Sequence, residues 1–181
     1  MKILFDNKIF INQIHGGPSV YFINLIKNLK FFDCDIKLSS NIHLSNILNY
    51  HKQYIEGSFL KIPLNEYLVK INAFKNFLHN LSYKSHLKNI DKFKPSIIHS
   101  TYYDKYFFDN TNCQKVITVF DLINEKFSEF YTSNNKFLPK KKILEESDKI
   151  ICISENTKND LLHYYKVDEK KINVIHLGYP D

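Results

Sequence analysis

A short segment of the chain, residues 15–21 (HGGPSVY), combines residue types that suit a ligand-binding turn. Gly16 and Gly17 let the backbone turn sharply and approach a ligand without a Cβ atom in between. Pro18 suits the first turn of a helix, where no amide hydrogen is needed. The free amides at such a helix start face phosphate or sugar oxygens favourably. A tight turn that binds nothing explains the same residues equally well.

Further polar residues directly follow apolar stretches that are typical of buried strands. They are Asp6, residues 99–104 (HSTYYD), Asp121 and residues 154–157 (SENT). The carboxyl ends of parallel strands meet at one edge of a sheet, and ligands of such sheets bind there. We therefore expect these residues to converge with the glycine segment at one edge.

Each of these candidates also has a purely structural interpretation. Ser154 or Asn156 could cap the helix that follows. His99 could hydrogen-bond within its own loop, and Asp121 could cap a turn. Tyr102 could pack at the rim as readily as it could contact a sugar. The convergence at one edge, rather than any single residue, supports the prediction of a site.

The elements that would position these residues alternate along the chain. Apolar or β-branched runs predict strands at residues 2–6, 34–38, 54–60, 96–99, 115–120, 149–153 and 171–175. Apolar residues at helical spacing predict helices at 21–29, 43–50, 64–94, 136–146 and 156–165. Short apolar strands separated by helices predict an α/β fold, namely a Rossmann-like parallel sheet with helices on both faces.

The composition indicates one globular domain, because 181 residues that are 44% hydrophobic can bury a substantial core. The formal net charge of +6 permits an anionic partner. Nucleic-acid binding is the weakest of the functions considered, since the lysines are scattered and no aromatic–basic recognition motif is present. Cys34, Cys113 and Cys152 are too far apart for a metal cluster, and their odd number favours a reducing compartment.

The N terminus is unlike a signal peptide, because Asp6 follows only three apolar residues, and no stretch approaches the roughly 20 apolar residues of a membrane span. The sequence therefore predicts a cytoplasmic protein.

The predicted helix 64–94 has an apolar stripe interrupted by lysines, which is compatible with peripheral membrane contact. These lysines are Lys70, Lys75, Lys84 and Lys88. Packing of the stripe on the sheet, with the lysines solvated, is the preferred interpretation.

Four segments, in this order along the chain, resemble the N-terminal half of glycosyltransferase family 4. They are residues 16–22 (GGPSVYF), 97–104 (IIHSTYYD), 116–127 (VITVFDLINEKF) and 147–161 (SDKIICISENTKNDL). Residues 173–180 (NVIHLGYP) resemble the segment that leads into the second domain of that family. The family consists of retaining enzymes with two Rossmann-like domains, the GT-B fold. The resemblance thus implies that residues 1–181 form a single acceptor-side domain.

The resemblance also implies an activity, the transfer of a sugar from a nucleotide sugar to a glycan or lipid-linked acceptor, as in polysaccharide biosynthesis. By motif position, Gly16 and Gly17 form the loop near the donor phosphates. Asp121 matches the acidic residue that would orient or deprotonate an acceptor hydroxyl. The other cleft residues would be Ser19, His99, Thr101, Tyr102 and Asp104, with Ser154 and Glu155 matching the Ser-Glu pair at the rim.

Two positions depart from the family pattern. Phe120 stands where many members carry His, and Val20 stands where related sequences often have Arg, which removes a phosphate contact. The glutamates and basic residues that hold the nucleotide diphosphate belong to the second domain, which we expect to be absent from this chain. The isolated chain is therefore expected to be inactive, without a metal site or a cofactor. The alternative function is a non-catalytic module that binds a carbohydrate or a partner.

Overall fold

The computed structural model describes residues 1–40, 42–46, 48, 60–61, 72–104, 107–109, 111–130 and 137–178. Eight strands form two parallel sheets, one of six strands and one of two. The strands are β1 (Lys2–Phe5), β2 (Asp35–Leu38), β3 (Ile42–His43), β4 (Leu60–Lys61), β5 (Ile97–Ser100), β6 (Gln114–Val119), β7 (Lys149–Cys152) and β8 (Ile172–Val174). The small sheet pairs β3 with β4.

The six-stranded sheet has the order β2-β1-β5-β6-β7-β8. The chain leaves β1 for β2 on one side and later reaches β5 on the other side, so the direction of winding reverses between β1 and β5. The register pairs Phe5 with Leu38 on one side and with His99 on the other. Ligands of open parallel sheets bind beyond the carboxyl ends of the strands at such a reversal. The residues that follow β1 and β5 therefore lie where a site is expected.

Helices connect most of the strands. They are α1 (Lys8–Asn12), α2 (Gly17–Leu29), α3 (Asn72–Phe93), α4 (Ile123–Lys126), α5 (Phe137–Glu146) and α6 (Glu155–Tyr164). Single 3₁₀ turns follow α2 and α4 and precede β8.

Two apolar layers attach these helices to the sheet. One layer joins Phe22 and Ile26 of α2 to Phe5 and other side chains of β1 and β2. The other layer joins α5 and α6, through residues such as Leu144 and Leu161, to β1 and β5–β7. Because alternate side chains of a strand point to opposite faces, the two layers cover opposite faces of the sheet. The predicted Rossmann-like fold is confirmed.

The glycine segment does not directly follow the first strand, as the sequence had suggested, because α1 intervenes. The Asp6 carboxylate accepts the amide of Lys8 at 2.8 Å and so begins the helical turn. Ile9, Phe10 and Ile11 of α1 are all buried, which compensates for the short length of this helix. Because α1 is only five residues long, little more than one turn, it does not repeat the pattern from which helical spacing could be recognised.

In the region before α3, further helices and strands have boundaries that differ from the predicted ones. His43, predicted to begin a helix, lies in β3 because its backbone pairs with β4. Residues 46 and 48 are helical, and the rest of the predicted helix beyond His43 lies partly outside the described residues. The predicted strand 54–60 is described only at Leu60, in β4, and the predicted helix 64–94 only from residue 72. The remaining predicted elements are present to within one or two residues, except that the first helix begins at Gly17 rather than Tyr21.

Candidate functional site

Asp6 connects the ends of β1 and β5, because each of its two carboxylate oxygens accepts two hydrogen bonds. Its Oδ2 accepts the hydroxyl of Ser100 at 2.8 Å and the amide of Thr101 at 2.9 Å. Its Oδ1 accepts the hydroxyl of Thr101 and the amide of Lys8. Burial raises the pKa of this carboxyl above its usual value, against the opposing effect of these hydrogen bonds. Asp6 and Thr101 are both buried, so their contribution to a site is to fix its backbone.

Asp104 lies above this junction and pairs with Lys8 of α1. Both side chains are partly exposed, so the pair is accessible from the carboxyl edge. Asp6, Lys8 and Asp104 help to line a cavity of about 30 Å³ against α3. A cavity of this size holds one or two water molecules and not a sugar ring.

The glycine segment forms the start of α2. Gly16 has an extended backbone, with a φ of 175°, and its carbonyl accepts the hydroxyl of Ser19 at 2.8 Å. A Cβ atom on Gly16 would lie 2.3 Å from Oε1 of Gln13, whereas one on Gly17 would have no atom of a described residue within 4 Å. Among the residues that the structure describes, no side chain caps this helix start. Gly17 therefore presents an open helix N terminus to the surface, while Ser19 is buried.

His99 lies inside the molecule, under α2, with 5% of its surface exposed. Its ring stacks on Phe5 at a centroid distance of 5.2 Å and meets the edge of Phe22 at 5.4 Å. Its Nε2 is 2.9 Å from Oγ1 of Thr118, which is in turn 3.3 Å from the hydroxyl of Tyr21. Burial lowers the pKa of His99 to about 3, so the ring is neutral at physiological pH. Its position makes His99 a support for α2 rather than a surface of the cleft.

Asp121 is exposed just beyond β6. Its Oδ1 accepts the amide of Ile123 at 3.1 Å, which is the turn-capping contact that the sequence offered as an alternative. Tyr102, which is 42% exposed, lies close enough that the Asp121 carboxylate adds to the effect of burial in raising the pKa of its phenol. Phe120 meets Tyr21 of α2 edge-on at 5.3 Å. The structure thus brings Asp121, Tyr102 and the start of α2 to the same edge.

Ser154 and Glu155 follow β7 at this edge. Ser154 is the N-cap of α6, because its hydroxyl accepts the amide of Thr157 at 3.1 Å. The Thr157 hydroxyl donates to the carbonyl of Phe120 at 3.3 Å and so connects α6 to the end of β6. Glu155 is exposed in the first turn of α6, where a carboxylate is favoured by the helix dipole. Both residues therefore have a structural role independent of any ligand.

Three residues that sequence reasoning did not select lie directly beneath Asp121. Lys140 of α5 and Glu125 of α4 form an ion pair of 2.8 Å, and their side chains are only 6% and 5% exposed. The hydroxyl of Tyr165 donates to the same Glu125 oxygen at 2.6 Å. Lysine and glutamate are seldom buried unless paired. Because Lys140 occurs in a run of three lysines, nothing in the sequence separates it from its solvated neighbours.

Within the described ranges, no group of three or more His, Cys, Asp or Glu side chains could hold a metal ion. Among the helices that the structure describes, none is both long and apolar enough to cross a membrane. Two wider depressions, of about 510 and 680 Å³, share Thr111 and Asn112, just before β6, and so lie away from the carboxyl edge.

Comparison with known proteins gives consistent results. The family model described as Glycosyltransferase Family 4 matches residues 15–181. Sucrose-phosphate synthase from Thermosynechococcus elongatus has a similar structure, with a TM-score of 0.71 and 16% identity over 99% of this chain and 48% of that chain. HepE from Anabaena, solved in complex with UDP-glucose, has a TM-score of 0.63 and 14% identity over 99% of this chain and 44% of that chain.

A glycosyltransferase from Rickettsia africae ESF-5 is also similar, with a TM-score of 0.56 and 22% identity over 98% of this chain and 43% of that chain. At these identities the structural likeness shows the fold alone. The chain spans a little less than half the length of these proteins. No curated protein is similar enough in sequence to count as a match.

Proposed function

This chain belongs to glycosyltransferase family 4, and from that membership we propose that it forms the acceptor side of a sugar-transferring site. Its sheet has the Rossmann-like fold of GT-B glycosyltransferases. The reaction is transfer of a sugar from a nucleotide sugar to a glycan or lipid-linked acceptor. The observation that supports it best is the meeting of Asp121, Tyr102 and the open start of α2 at one sheet edge.

Asp121 is the residue we assign to the acceptor. It is exposed, so a hydroxyl can reach its carboxylate, and its contact with the Ile123 amide uses only one of the two oxygens. The other oxygen, Oδ2, can accept the proton or hydrogen bond of an acceptor hydroxyl. Tyr102 offers a half-exposed ring beside it, suited to packing against a sugar face.

The donor would approach the start of α2. Gly17 leaves space for a phosphate, and the amides of Gly17 and Ser19 point out of an uncapped helix end. One relative is consistent with a nucleotide-sugar donor, since HepE was solved in one structure with UDP-glucose and in another with UDP and glucose. Val20 supplies no cation here, and we assign the main diphosphate contacts to a second domain outside residues 1–181.

The remaining predicted site residues take supporting positions in this proposal. His99 and Thr101 act from inside, by holding α2 and the turn after β5. Asp104, Ser154 and Glu155 lie at the rim, where Asp104 is already paired with Lys8.

Substitution of Asp121 tests the proposal in an enzyme completed with its second domain. Asp121→Asn should lower kcat by roughly 10²-fold or more while leaving donor affinity and folding unchanged. Asp160→Asn is the matched control, because Asp160 is also a surface aspartate but lies within α6, where it pairs with Lys126. If the Asp121→Asn enzyme has the wild-type kcat, Asp121 has no role in transfer and only caps the turn.

A non-catalytic carbohydrate-binding module is the second candidate, favoured by the absence of a histidine at Phe120 and of a cation at Val20. The two candidates differ in one measurement. A completed protein that binds a glycan saturably, yet neither transfers nor hydrolyses any nucleotide sugar in a broad panel, would be such a module.

A cytoplasmic location with peripheral membrane contact, in polysaccharide biosynthesis, completes the proposal. The described part of α3 has Phe77 and Leu81 exposed one turn apart, with Lys84 and Lys88 on the following turns. This arrangement suits a helix that lies on an anionic bilayer. Failure to co-sediment with anionic vesicles at physiological salt would exclude the contact for the isolated chain.

A further inference from the structure

Lys140 pairs with Glu125 and also contacts the backbone of Asp121, the residue assigned to the acceptor. The Lys140 ammonium donates to the backbone carbonyl of Asp121 at 3.3 Å while it pairs with Glu125 at 2.8 Å. It also lies over the ring of Tyr103, 4.4 Å from the ring centroid. One buried cation therefore connects the turn after β5, the turn after β6, α4 and α5.

We propose that Lys140 is a positioning residue for sugar transfer, which holds the Asp121 turn so that its carboxylate faces the acceptor. This inference rests on the proposed role of Asp121. Lys140 fixes the backbone at Asp121 from below, and the Ile123 amide fixes one side-chain oxygen from the following turn. Together these two contacts restrict the direction in which Oδ2 can point.

The role of Glu125 is to keep the cation in place. Its Oε1 accepts from both Lys140 and Tyr165, whereas its buried Oε2 has no hydrogen-bond partner among the described residues. A half-satisfied buried carboxylate is unfavourable for stability, and well-packed apolar residues of similar size are often as stable as a buried ion pair or more stable. Stability alone therefore gives no reason for this pair, whereas a requirement for a fixed donor at the Asp121 carbonyl does.

The competing explanation is that the pair only stabilises the packing of α4 on α5. The two explanations separate in the double variant Lys140→Met with Glu125→Leu, which removes both charges and preserves most of the volume. A packing role predicts that this variant works as well as wild type once it is folded. A positioning role predicts that it folds normally and transfers sugar poorly.

The test combines the isolated chain with the completed enzyme. In the chain, hydrogen exchange of the Ile123 amide reports whether the Asp121 turn is held. In the enzyme, kcat and the donor KM are measured separately. For the double variant we expect exchange at least tenfold faster, kcat at least tenfold lower and an unchanged donor KM. Its melting temperature should be a few degrees below that of wild type, because the Tyr165 hydroxyl loses its acceptor.

Three further variants serve as controls. Lys140→Arg retains a donor and should recover most of the kcat lost in the double variant. Tyr165→Phe keeps the ion pair but loses one contact to Glu125, so kcat should fall by about two- to fivefold; this variant also tests the proposal if the double variant fails to fold. Lys126 lies on the same helix as Glu125 and forms an exposed ion pair with Asp160. Lys126→Met removes that pair and should change neither kcat nor the exchange rate at Ile123.

The outcomes distinguish this inference from the proposed function. If Asp121→Asn lowers kcat and the double variant, properly folded, does not, the role of Lys140 is overturned and that of Asp121 stands. If Asp121→Asn itself leaves kcat unchanged, both fail. Wild-type kcat in Tyr165→Phe, or a wild-type exchange rate at Ile123 in the folded double variant, would likewise overturn the role of Lys140.

Discussion

Two clusters beneath the same sheet edge are held together by different interactions. The aromatic cluster, made of Phe5, Phe22, His99, Phe120 and Tyr21, supports the start of α2 through ring packing and one neutral histidine. The charged cluster, made of Glu125, Lys140, Tyr103 and Tyr165, supports the Asp121 turn through a buried ion pair.

The two kinds of interaction correspond to the two kinds of group that the clusters hold in place at the sheet edge. The aromatic cluster supports backbone amides, whose direction follows once the helix is in place, so nondirectional packing is sufficient. The charged cluster supports a single side chain on a short turn, where only directional contacts fix the orientation. Each cluster should therefore respond to its own kind of perturbation, the charged one to loss of a partner and the aromatic one to protonation.

Loss of Lys140 should have the largest effect on stability. In Lys140→Met the Glu125 carboxylate is left buried without its cation, and the free energy of unfolding should fall by about 3–5 kcal/mol. Urea unfolding measures the change. Lys126→Met, which breaks an exposed pair, should cost less than about 1 kcal/mol. A similar small loss in both variants would contradict the distinction between the clusters.

Acid should weaken the aromatic cluster. The pKa of His99 is about 3 in the folded chain, below its ordinary value of 6.5, so the unfolded chain binds the proton more tightly. The contribution of His99 to stability is therefore complete above about pH 6.5 and is lost as the pH falls toward 3. Between pH 7.5 and pH 5 the loss should be about 2 kcal/mol, from about 1.4 kcal/mol per pH unit.

The variant His99→Phe isolates this effect, because it keeps a ring against Phe5 and cannot titrate. His79 and His86 also have a pKa lowered to about 4, chiefly by burial, and they contribute equally to both proteins. Unfolding measured at several pH values should show a pH dependence smaller in His99→Phe by the stated amount. Parallel pH profiles for the two proteins would mean that folding does not lower the pKa of His99.

Alanine at Gly17 should have the smallest effect on stability. A Cβ atom there meets no neighbour within 4 Å, so Gly17→Ala should be neutral or stabilise the chain by up to about 1 kcal/mol. In the completed enzyme the same methyl group should obstruct a phosphate at the helix start and weaken donor binding. Thermal unfolding and donor titration of the one variant measure both. Unchanged donor affinity would mean that the donor phosphates do not bind at the start of α2.

The sequence predicted the fold well and the site less completely. The strands at the carboxyl edge are continuous apolar runs, and their order in the chain was enough to bring Asp121, Tyr102 and the glycines together. The burial of His99 was not predictable, because a histidine at a strand end has the same local pattern whether it faces a ligand or stacks on Phe5. Lys140 was missed because its burial depends on α4, α5 and Tyr165, which are distant in sequence.

We have proposed that residues 1–181 supply the acceptor side of the site and few of the contacts to the donor. Calorimetric titration of this chain with several nucleotide sugars tests that proposal most directly. The start of α2 offers backbone amides but no adjacent Arg or Lys to balance a diphosphate, since Val20 occupies that position. We predict a Kd of about 1 mM or weaker, equivalent to about −4 kcal/mol. Micromolar binding, or transfer of sugar to any acceptor by this chain alone, would contradict the account.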